Sequence, residues 1–312
     1  MKTKIGVIGC GTIANSAHIP SYMNNDDVEI KYFCDIIPER AEKAVKDYGV
    51  GTAVKDYHDV INDPEIDAIS VCTPNYAHAE ISIAALEAGK HVLCEKPAAR
   101  TYAEACKMQK AKHESGKLLK IGVVNRFNDG VNHIRDLIQE GALGDVYHVY
   151  VSFRAHRSIP GIGGDFTRKD VAGGGAVIDW GVHYLDIVMY CLGDPQAKTV
   201  SAEVFSKLGK DIKNYTYVNM WAEDRADFDG VYDVDDSITA LVRTEGPVFT
   251  VHGAWAQNIG ETEQYIDFMG DKGGIRLYYG KDFVYYGTHD GMLTETHYSY
   301  PQTNMFQNEI DA

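Results

Sequence analysis

The sequence predicts an α/β protein in two parts, the first with a doubly wound parallel sheet and the second with longer, mixed or antiparallel strands. In the first 124 residues, short β-branched runs alternate with helical patterns, and from Asp145 onward the strands lengthen. The 312 residues also exceed the roughly 250–300 at which a single core stops growing. We therefore expect two domains, at 1–124 and 125–312.

The composition is that of an ordinary globular protein, with 45% hydrophobic and 24% charged residues and a formal net charge of −15. An acidic protein repels phosphate backbones, so neither nucleic acid nor an anionic membrane is an expected partner. No apolar run approaches the ~18 residues of a membrane helix. The six cysteines form no C-x-x-C pair, and the chain starts in a strand rather than a signal peptide. We expect a cytoplasmic protein without a metal site.

The first part alternates predicted strands with predicted helices. Gly89 ends a helix at 76–88, and Thr101 with Glu104 forms a capping box that opens the next helix. Strands joined through helices are parallel and have right-handed crossovers. The predicted strands are 4–8, 29–34, 68–72, 91–94 and 119–124.

A glycine-rich turn follows the first strand and opens a helix. It reads Gly-Cys-Gly-Thr-Ile-Ala and fits the G-x-G-x-x-G/A pattern of a dinucleotide-binding Rossmann domain. Gly9 permits the tight turn, Gly11 lets the backbone approach a pyrophosphate, and Ala14 allows close helix–strand packing. We expect the phosphates at the helix start, beside Thr12 and Ile13.

An acidic residue at the end of the second strand supports the same site. Asp35 follows Ala14 by 21 residues, near the spacing at which a carboxylate accepts both ribose hydroxyls. This carboxylate would repel a 2′-phosphate, and Ile36 and Ile37 offer no cation to neutralise one. NAD is therefore expected, and NADP less so. The alternative is that Asp35 only forms a turn.

Further motifs make the chain resemble a known family over nearly its whole length. The motifs are Thr73-Pro74-Asn75 with His78, Glu95-Lys96-Pro97, Val123-Val124-Asn125-Arg126-Phe127, and GGGAVIDWGVHYLD from Gly173 to Asp186. With the glycine turn, they resemble the glucose–fructose oxidoreductase / inositol dehydrogenase / rhizopine catabolism (Gfo/Idh/MocA) family. The resemblance implies hydride transfer between a nicotinamide and a secondary alcohol of a sugar, cyclitol or related polyol. It also implies a second α/β domain with a large, mostly antiparallel open sheet.

The resemblance extends to the residues of the cofactor site. It implies that Asn75 and His78 line the nicotinamide ribose pocket, although His78 is equally well explained as a residue of the first helical turn. Arg126, at the crossover into the second domain, is a candidate contact of cofactor or substrate. The expected cofactor-binding residues are Gly9, Gly11, Thr12, Ile13, Asp35, Thr73, Pro74, Asn75, His78, Glu95, Lys96 and Arg126.

Oxidation of an alcohol requires a hydride acceptor and a base for the hydroxyl proton. Side chains at the carboxyl ends of parallel strands face the ligand crevice, and Lys96 occupies such an end. Its ammonium group would stabilise the developing alkoxide or carbonyl oxygen. The alternative is a solvated surface lysine.

Asp179 and His183 lie four residues apart on a predicted helix at 176–192, which places them on one face. Imidazole suits proton transfer at neutral pH, so His183 is the expected general base, with Asp179 orienting it and contacting substrate. The glycines at 173–175 would let the backbone approach the ligand. The alternative is an ordinary ion pair on a helix surface.

A basic cluster of Arg154, His156 and Arg157 is a weaker candidate for substrate binding, since such arginines commonly pair with carboxylates. Two alternatives to the dehydrogenase also stay open. One is a glycoside hydrolase that oxidises its substrate transiently and recycles bound NAD, and the other is a non-catalytic dinucleotide-binding regulator.

The second part has predicted strands at 146–153, 199–205, 237–243, 248–256 and 264–269. Glu245-Gly246-Pro247 is a predicted hairpin turn, and 215–236 a predicted loop near the sheet edge. Few helices cover this sheet, and the family commonly uses its open face for subunit contacts, so a homodimer or homotetramer is expected. Asn304 is the predicted N-cap of a final helix, which relatives normally continue beyond residue 312.

Overall fold

The computed structural model describes residues 2–312, which form two compact units. One unit runs to Val124 and includes Asn304–Ala312, and the other is Asn125–Thr303. The sequence analysis assigned this final segment to the second domain, 125–312, but in the structure it groups with the first unit. Its Gln307 side chain donates a hydrogen bond to the carbonyl oxygen of Ser21, and Ile310 packs against the first unit's core.

The first unit contains a six-stranded sheet in which every pair of neighbouring strands is parallel, as predicted. The strand order is β3-β2-β1-β4-β5-β6. The prediction missed β3, a three-residue edge strand that is too short to show a period. The strands are β1 (Thr3–Ile8), β2 (Val28–Cys34), β3 (Thr52–Val54), β4 (Ala68–Val71), β5 (His91–Glu95) and β6 (Leu119–Gly122).

Helices connect these strands, and the structure confirms two predicted helix starts, at Thr101 and Asn304. The Thr101 hydroxyl caps its helix by accepting from the Glu104 N–H at 3.2 Å, and the Glu104 carboxylate accepts from the Arg100 N–H at 3.0 Å. Asn304 caps the last helix through the Gln307 N–H. The helices are a π-helical segment (Ala14–His18), α1 (Ile19–Met23), α2 (Pro38–Tyr48), α3 (Tyr57–Ile61), α4 (Asn75–Glu87), α5 (Tyr102–Ser115) and, from the chain's end, α9 (Met305–Asp311).

The second unit contains an eight-stranded sheet in the order β14-β13-β12-β11-β7-β10-β9-β8. Only the β7–β10 pair is parallel among these neighbours, which confirms the mostly antiparallel sheet. The prediction missed the last three strands. The strands are β7 (Val146–His156), β8 (Ala197–Phe205), β9 (Ser237–Thr244), β10 (Val248–Gln257), β11 (Glu263–Gly270), β12 (Gly274–Tyr278), β13 (Phe283–His289) and β14 (Met292–Tyr298).

Two helices cover one face of this sheet. Ile134 of α6 and Ile187 of α8 are buried against strand residues such as Val149, Val151 and Phe268. The helical elements of this unit are α6 (Asp129–Gln139), α7 (Lys169–Ala172), a π-helical segment (Val177–Gly181), α8 (Val182–Leu192) and short 3₁₀ turns at Val124–Phe127, Asp165–Thr167, Ile212–Asn214 and Glu223–Arg225. Among residues 2–312, no helix combines the length and apolarity that crossing a bilayer requires.

Candidate active site

The glycine turn and Asp35 meet at the carboxyl ends of β1 and β2. Gly9 has a φ of +92°, and a Cβ atom there would lie 2.6 Å from the main chain of Cys72, so the turn admits only glycine. The Asp35 carboxylate accepts from the N–H of Cys10 at 2.9 Å and from that of Ile37 at 2.9 Å. The acidic residue thus lies directly against the turn, as a ribose-binding carboxylate requires.

The two isoleucines after Asp35 are exposed, Ile36 by 70% and Ile37 by 40%. No cation stands at either position, as the sequence indicated. Ala14 is fully buried, which allows the helix to approach β1 closely. Burial, aided by the Asp35 carboxylate, raises the pKa of the Cys10 thiol to about 12, so this thiol stays neutral.

The end of β4 carries a buried hydroxyl that lacks a partner. Thr73 Oγ1 is inaccessible to solvent and makes no hydrogen bond within the chain. Buried polar atoms are nearly always hydrogen-bonded, so an orphan hydroxyl beside the glycine turn fits a site that a ligand completes. Gly9, Asp35 and Thr73 together fit a dinucleotide.

His78 supports this site through the backbone. Its ring is buried, with Nδ1 lying 2.7 Å from the Pro97 carbonyl oxygen and Nε2 lying 2.8 Å from that of Thr73. Burial lowers the pKa of His78, so the ring is neutral at physiological pH. His78 therefore joins the Thr-Pro-Asn and Glu-Lys-Pro segments, and these contacts favour its explanation as a structural residue of the helix.

Glu95 forms a buried pair with His18, a residue that the sequence analysis missed. Glu95 Oε1 lies 2.6 Å from His18 Nε2, and His18 Nδ1 lies 3.2 Å from Ser70 Oγ. Burial opposes charge on both partners. Even so, contacts with Cys72 and Glu95 raise the pKa of His18, and the imidazolium lowers that of Glu95, so we treat the pair as ionised. Nothing in the sequence linked His18 to Glu95, 77 residues away.

Lys96 follows directly and is half-buried at the carboxyl end of β5. Its N–H donates to Glu95 Oε2 at 3.1 Å, and its peptide bond to Pro97 is cis. The His18–Glu95 pair therefore holds the main chain of Lys96. This location matches the predicted strand-end position.

Asp179 and His183 lie on the predicted helix, which has a π-helical first part, Val177–Gly181, before α8. Such π turns are rare and occur often at functional sites. Asp179 is buried and accepts from the indole Nε1 of Trp255 at 3.2 Å. Asn125 Nδ2 lies 3.3 Å from His183 Nδ1 and donates to the Tyr279 hydroxyl at 3.2 Å.

Asn125, Trp255 and Tyr279 were all missed as neighbours of the two predicted catalytic residues. Asn125 belongs to the Val-Val-Asn-Arg-Phe motif, which was the available signal. Trp255 lies on β10 and Tyr279 directly follows β12, both far along the chain from Asp179 and His183. No local sequence pattern marks either residue.

The glycines before this helix pack against the protein itself. A Cβ atom on Gly175 would lie 1.8 Å from the carbonyl oxygen of Asp235. Gly173, with a φ of +86°, ends α7. Gly175 therefore makes room for the main chain of Asp235, and Gly173 permits the turn that ends α7. The sequence analysis had expected these glycines to make room for a ligand.

Three predicted ligand contacts have partners within the second unit. The Arg126 guanidinium pairs with the Asp186 carboxylate at 2.7 Å, and this contact raises its pKa. His156 Nδ1 lies 3.1 Å from the Gln257 carbonyl oxygen, and Arg157 donates to Asn258 Oδ1 at 3.0 Å.

Arg154, in the same cluster, pairs with Glu263 at 2.8 Å. The structure therefore favours the ordinary ion-pair interpretation for Arg154, and it gives Arg126 an ion pair that the sequence analysis did not foresee. The predicted loop at 215–236 contributes buried side chains, Tyr215 among them, to a core cluster.

Between residues 2 and 312, no group of three or more His, Cys, Asp or Glu side chains could hold a metal ion.

Comparisons with known proteins agree with these motifs. The model of the "Oxidoreductase family, NAD-binding Rossmann fold" matches residues 3–123, and that of the "GFO/IDH/MocA C-terminal domain" matches residues 131–276. The D-glucoside 3-dehydrogenase of Escherichia coli (strain K12) is 33% identical over 277 residues, which cover 88% of this chain and 77% of that protein.

A second relative matches over a shorter stretch. The inositol 2-dehydrogenase of Salmonella typhimurium (strain LT2) is 35% identical over 153 residues, 48% of this chain and 45% of that protein. Among solved structures, levoglucosan dehydrogenase in complex with NADH and levoglucosan superposes with a TM-score of 0.81 at 22% identity, covering 100% of this chain and 88% of that one. This structural likeness shows a shared fold. The chain belongs to the Gfo/Idh/MocA family of NAD-binding oxidoreductases.

Proposed function

We propose that this protein is an NAD-dependent dehydrogenase that oxidises a secondary alcohol of a sugar, cyclitol or related polyol, or reduces the corresponding ketone. The observation that carries the proposal is the match to a D-glucoside 3-dehydrogenase over 88% of the chain. The Glu-Lys-Pro and Asp-x-x-x-His motifs add residues suited to the chemistry of an alcohol.

The preference for NAD follows from the charge at the end of β2. Asp35 would accept the hydroxyl groups of the adenosine ribose, and its negative charge would repel a 2′-phosphate. The neighbouring Ile36 and Ile37 carry no compensating charge. Thr73, Asn75 and the main chain of the glycine turn complete the cofactor-binding set that we propose.

The proposed chemistry divides three roles among side chains of this protein. A bound nicotinamide would supply the hydride acceptor that oxidation of the carbinol carbon requires. Lys96 stabilises the negative charge that grows on the substrate oxygen. His183 takes the hydroxyl proton, and Asp179 orients His183 and accepts a hydrogen bond from the substrate.

Each of these three residues is held by neighbours that limit its freedom. Glu95 holds the main chain of Lys96, Trp255 donates to Asp179, and Asn125 contacts His183. Preorganised polar groups lose little free energy to reorientation when charge develops on the substrate. This preorganisation supports a catalytic role over a surface ion pair for Asp179 and His183.

Arg126, His156 and Arg157 stay as weaker candidates for substrate contact. Their present partners are internal, so each would have to exchange a hydrogen bond within the protein for one to substrate. We place them behind Lys96, Asp179 and His183 for this reason.

A cytoplasmic homodimer or homotetramer is part of the proposal. The sheet face opposite α6 and α8 presents Tyr150, His252 and Tyr265, and all three are partly exposed. The centre of the Tyr150 ring lies 5.5 Å from that of His252 and 5.9 Å from that of Tyr265. Aromatic side chains are enriched in subunit interfaces. Light scattering coupled to gel filtration measures the oligomeric state, and a monomer would contradict this part of the proposal.

A substrate screen tests the function. We would supply the protein with NAD and a panel of inositols, aldoses, glucosides and sugar acids, and follow the absorbance of reduced nicotinamide. A dehydrogenase accumulates NADH with one class of polyol. Release of aglycone from a glucoside without net NADH would indicate the hydrolase instead, and nucleotide binding with no turnover would indicate a regulator.

A further inference from the structure

The start of the helix that carries Asp179 and His183 is held by a carboxylate from a distant segment. Asp235 Oδ1 accepts from the N–H of Gly175 at 2.8 Å, and Asp235 Oδ2 accepts from the N–H of Val177 at 3.0 Å. The main-chain oxygen of Asp235 accepts from the N–H of Ala176 at 3.1 Å. Asp235 thus accepts hydrogen bonds from three successive main-chain N–H groups at this helix start.

These N–H groups are donors that a helix cannot satisfy within itself. A side-chain acceptor at such a position commonly stabilises a helix by about 1 kcal/mol, but it usually comes from the residue that precedes the helix. Here the acceptor comes from a segment 60 residues further along the chain. The contact therefore fixes where the helix lies in the unit as well as whether it forms.

The same segment also holds the indole that contacts Asp179. The main-chain oxygen of Asp236, the next residue, accepts from the N–H of Trp255 at 2.9 Å, and Trp255 Nε1 donates to Asp179. Asp236 is itself buried, and its carboxylate accepts from the N–H groups of Lys207 and Leu208. Asp235 thus holds the start of the helix that carries Asp179, and Asp236 holds the main chain of Trp255, whose indole contacts Asp179.

Gly175 makes this contact possible. A Cβ atom at residue 175 would lie 1.8 Å from the Asp235 carbonyl oxygen and 2.8 Å from its carbonyl carbon. Both atoms are main chain, so a larger residue must push the helix start and Asp235 apart. The glycine and the aspartate form one interlocking contact.

From this geometry we propose that Asp235, locked against Gly175, is a positioning residue that sets the register and orientation of Asp179 and His183 toward the substrate. The proposal rests on the proposed function, in which these two side chains act on the alcohol. Asp235 itself has no contact with substrate in this proposal. A small displacement of catalytic groups costs much of the rate, so the effect falls on kcat.

The test compares variants on both sides of the contact with a matched control. Asp235→Asn keeps the shape of the side chain but sets an amide N–H against a main-chain N–H, and Asp235→Ala removes both side-chain acceptors. Gly175→Ala instead adds a Cβ atom that displaces the main chain of Asp235 from the helix start. Asp233→Ala is the control. Asp233 accepts from the N–H of Lys169, the first residue of α7, at 2.6 Å, and α7 lies outside the proposed machinery.

We expect Asp235→Asn and Gly175→Ala each to lower kcat by about 10–100-fold, with the Kd for NADH changed less than about twofold. We expect Asp233→Ala to change kcat by less than about threefold. The double variant Gly175→Ala/Asp235→Asn should lose little more than either single variant, since both break one contact. Equal losses of kcat in the Asp233 and Asp235 variants would overturn the proposal.

Hydrogen exchange separates this proposal from the proposed function. Amides of residues 175–183 should exchange faster in Asp235→Asn than in the unaltered protein or in Asp233→Ala, whatever the substrate is. If no polyol is turned over but this exchange pattern appears, the function is wrong and the positioning contact stands. If turnover occurs and exchange in 175–183 is unchanged, the positioning role is wrong and the function stands.

Discussion

The Asp35 carboxylate accepts a hydrogen bond from the Cys10 main-chain N–H at 2.9 Å, across 25 residues of sequence. This contact joins the two halves of the dinucleotide signature, the glycine turn and the acidic residue that ends β2. The residue that would select the ribose therefore has a fixed position relative to the residues that would hold the phosphates. Cofactor choice should depend on the charge of this one side chain.

Replacement of Asp35 by Ser should relax discrimination against NADP. A carboxylate facing a 2′-phosphate costs several kcal/mol, so its removal should raise the ratio of kcat/KM for NADP over NAD by at least about tenfold. Steady-state kinetics with both cofactors measures this ratio. Glu39→Gln, which removes another carboxylate in the first turn of α2, is the matched control. Preference of the unaltered protein for NADP would contradict our assignment of Asp35.

Replacement of His183 by Ala should lower kcat by about 10²–10⁴-fold, because a positioned general base contributes that much. Binding of NADH, followed by its fluorescence, should be unaffected. His148→Ala is the control, since this histidine contacts Thr250 on the sheet and has no part in the proposed chemistry. Unchanged turnover in His183→Ala would remove His183 from the role of base.

Disruption of the His18–Glu95 pair should destabilise the first unit. His18→Gln or Glu95→Gln leaves one buried charge without its partner, which commonly costs about 3–5 kcal/mol. The double variant should lose less than the sum of the two, because neither charge remains. Urea unfolding measures these free energies. Lys43→Ala, which breaks an exposed pair with Asp47 on α2, should change stability by less than about 1 kcal/mol.

Glu309 of α9 should make stability depend on pH. Its carboxylate oxygens are buried without a hydrogen-bond partner, and burial, with Glu95 nearby, raises its pKa to about 7 from an ordinary value of 4.5. Between these values the folded state binds the extra proton, so the contribution of this residue to stability falls as the pH rises.

Glu309→Gln stays neutral and should escape this fall. The Tm of Glu309→Gln relative to the unaltered protein should therefore increase between pH 5 and pH 8. Differential scanning calorimetry across that range is the measurement, with Glu87→Gln, an exposed carboxylate on α4, as the control. A constant difference in Tm across the range would show that Glu309 does not titrate there.

Local patterns were enough to predict much of the fold. Periodicity located five of the six parallel strands, and Thr101, Gly89 and Asn304 marked helix ends because caps depend on neighbouring residues. The strands β12, β13 and β14 were missed, since an edge region with many polar and aromatic residues shows no clear two-residue alternation. The start of the Asp179 helix as a π-helical segment was likewise invisible in the apolar spacing.

The motifs could be identified without any structure: the glycine turn, Asp35, Lys96 after β5, and the pair Asp179 and His183. These depend on short spacings, which the chain carries locally. The distant residues that support these motifs became visible only in the folded protein, where His18 contacts Glu95 and Asp235 contacts Gly175. Such partners come from separate elements, and their contacts arise from packing and from the need of buried polar groups for hydrogen bonds, neither of which leaves a local pattern.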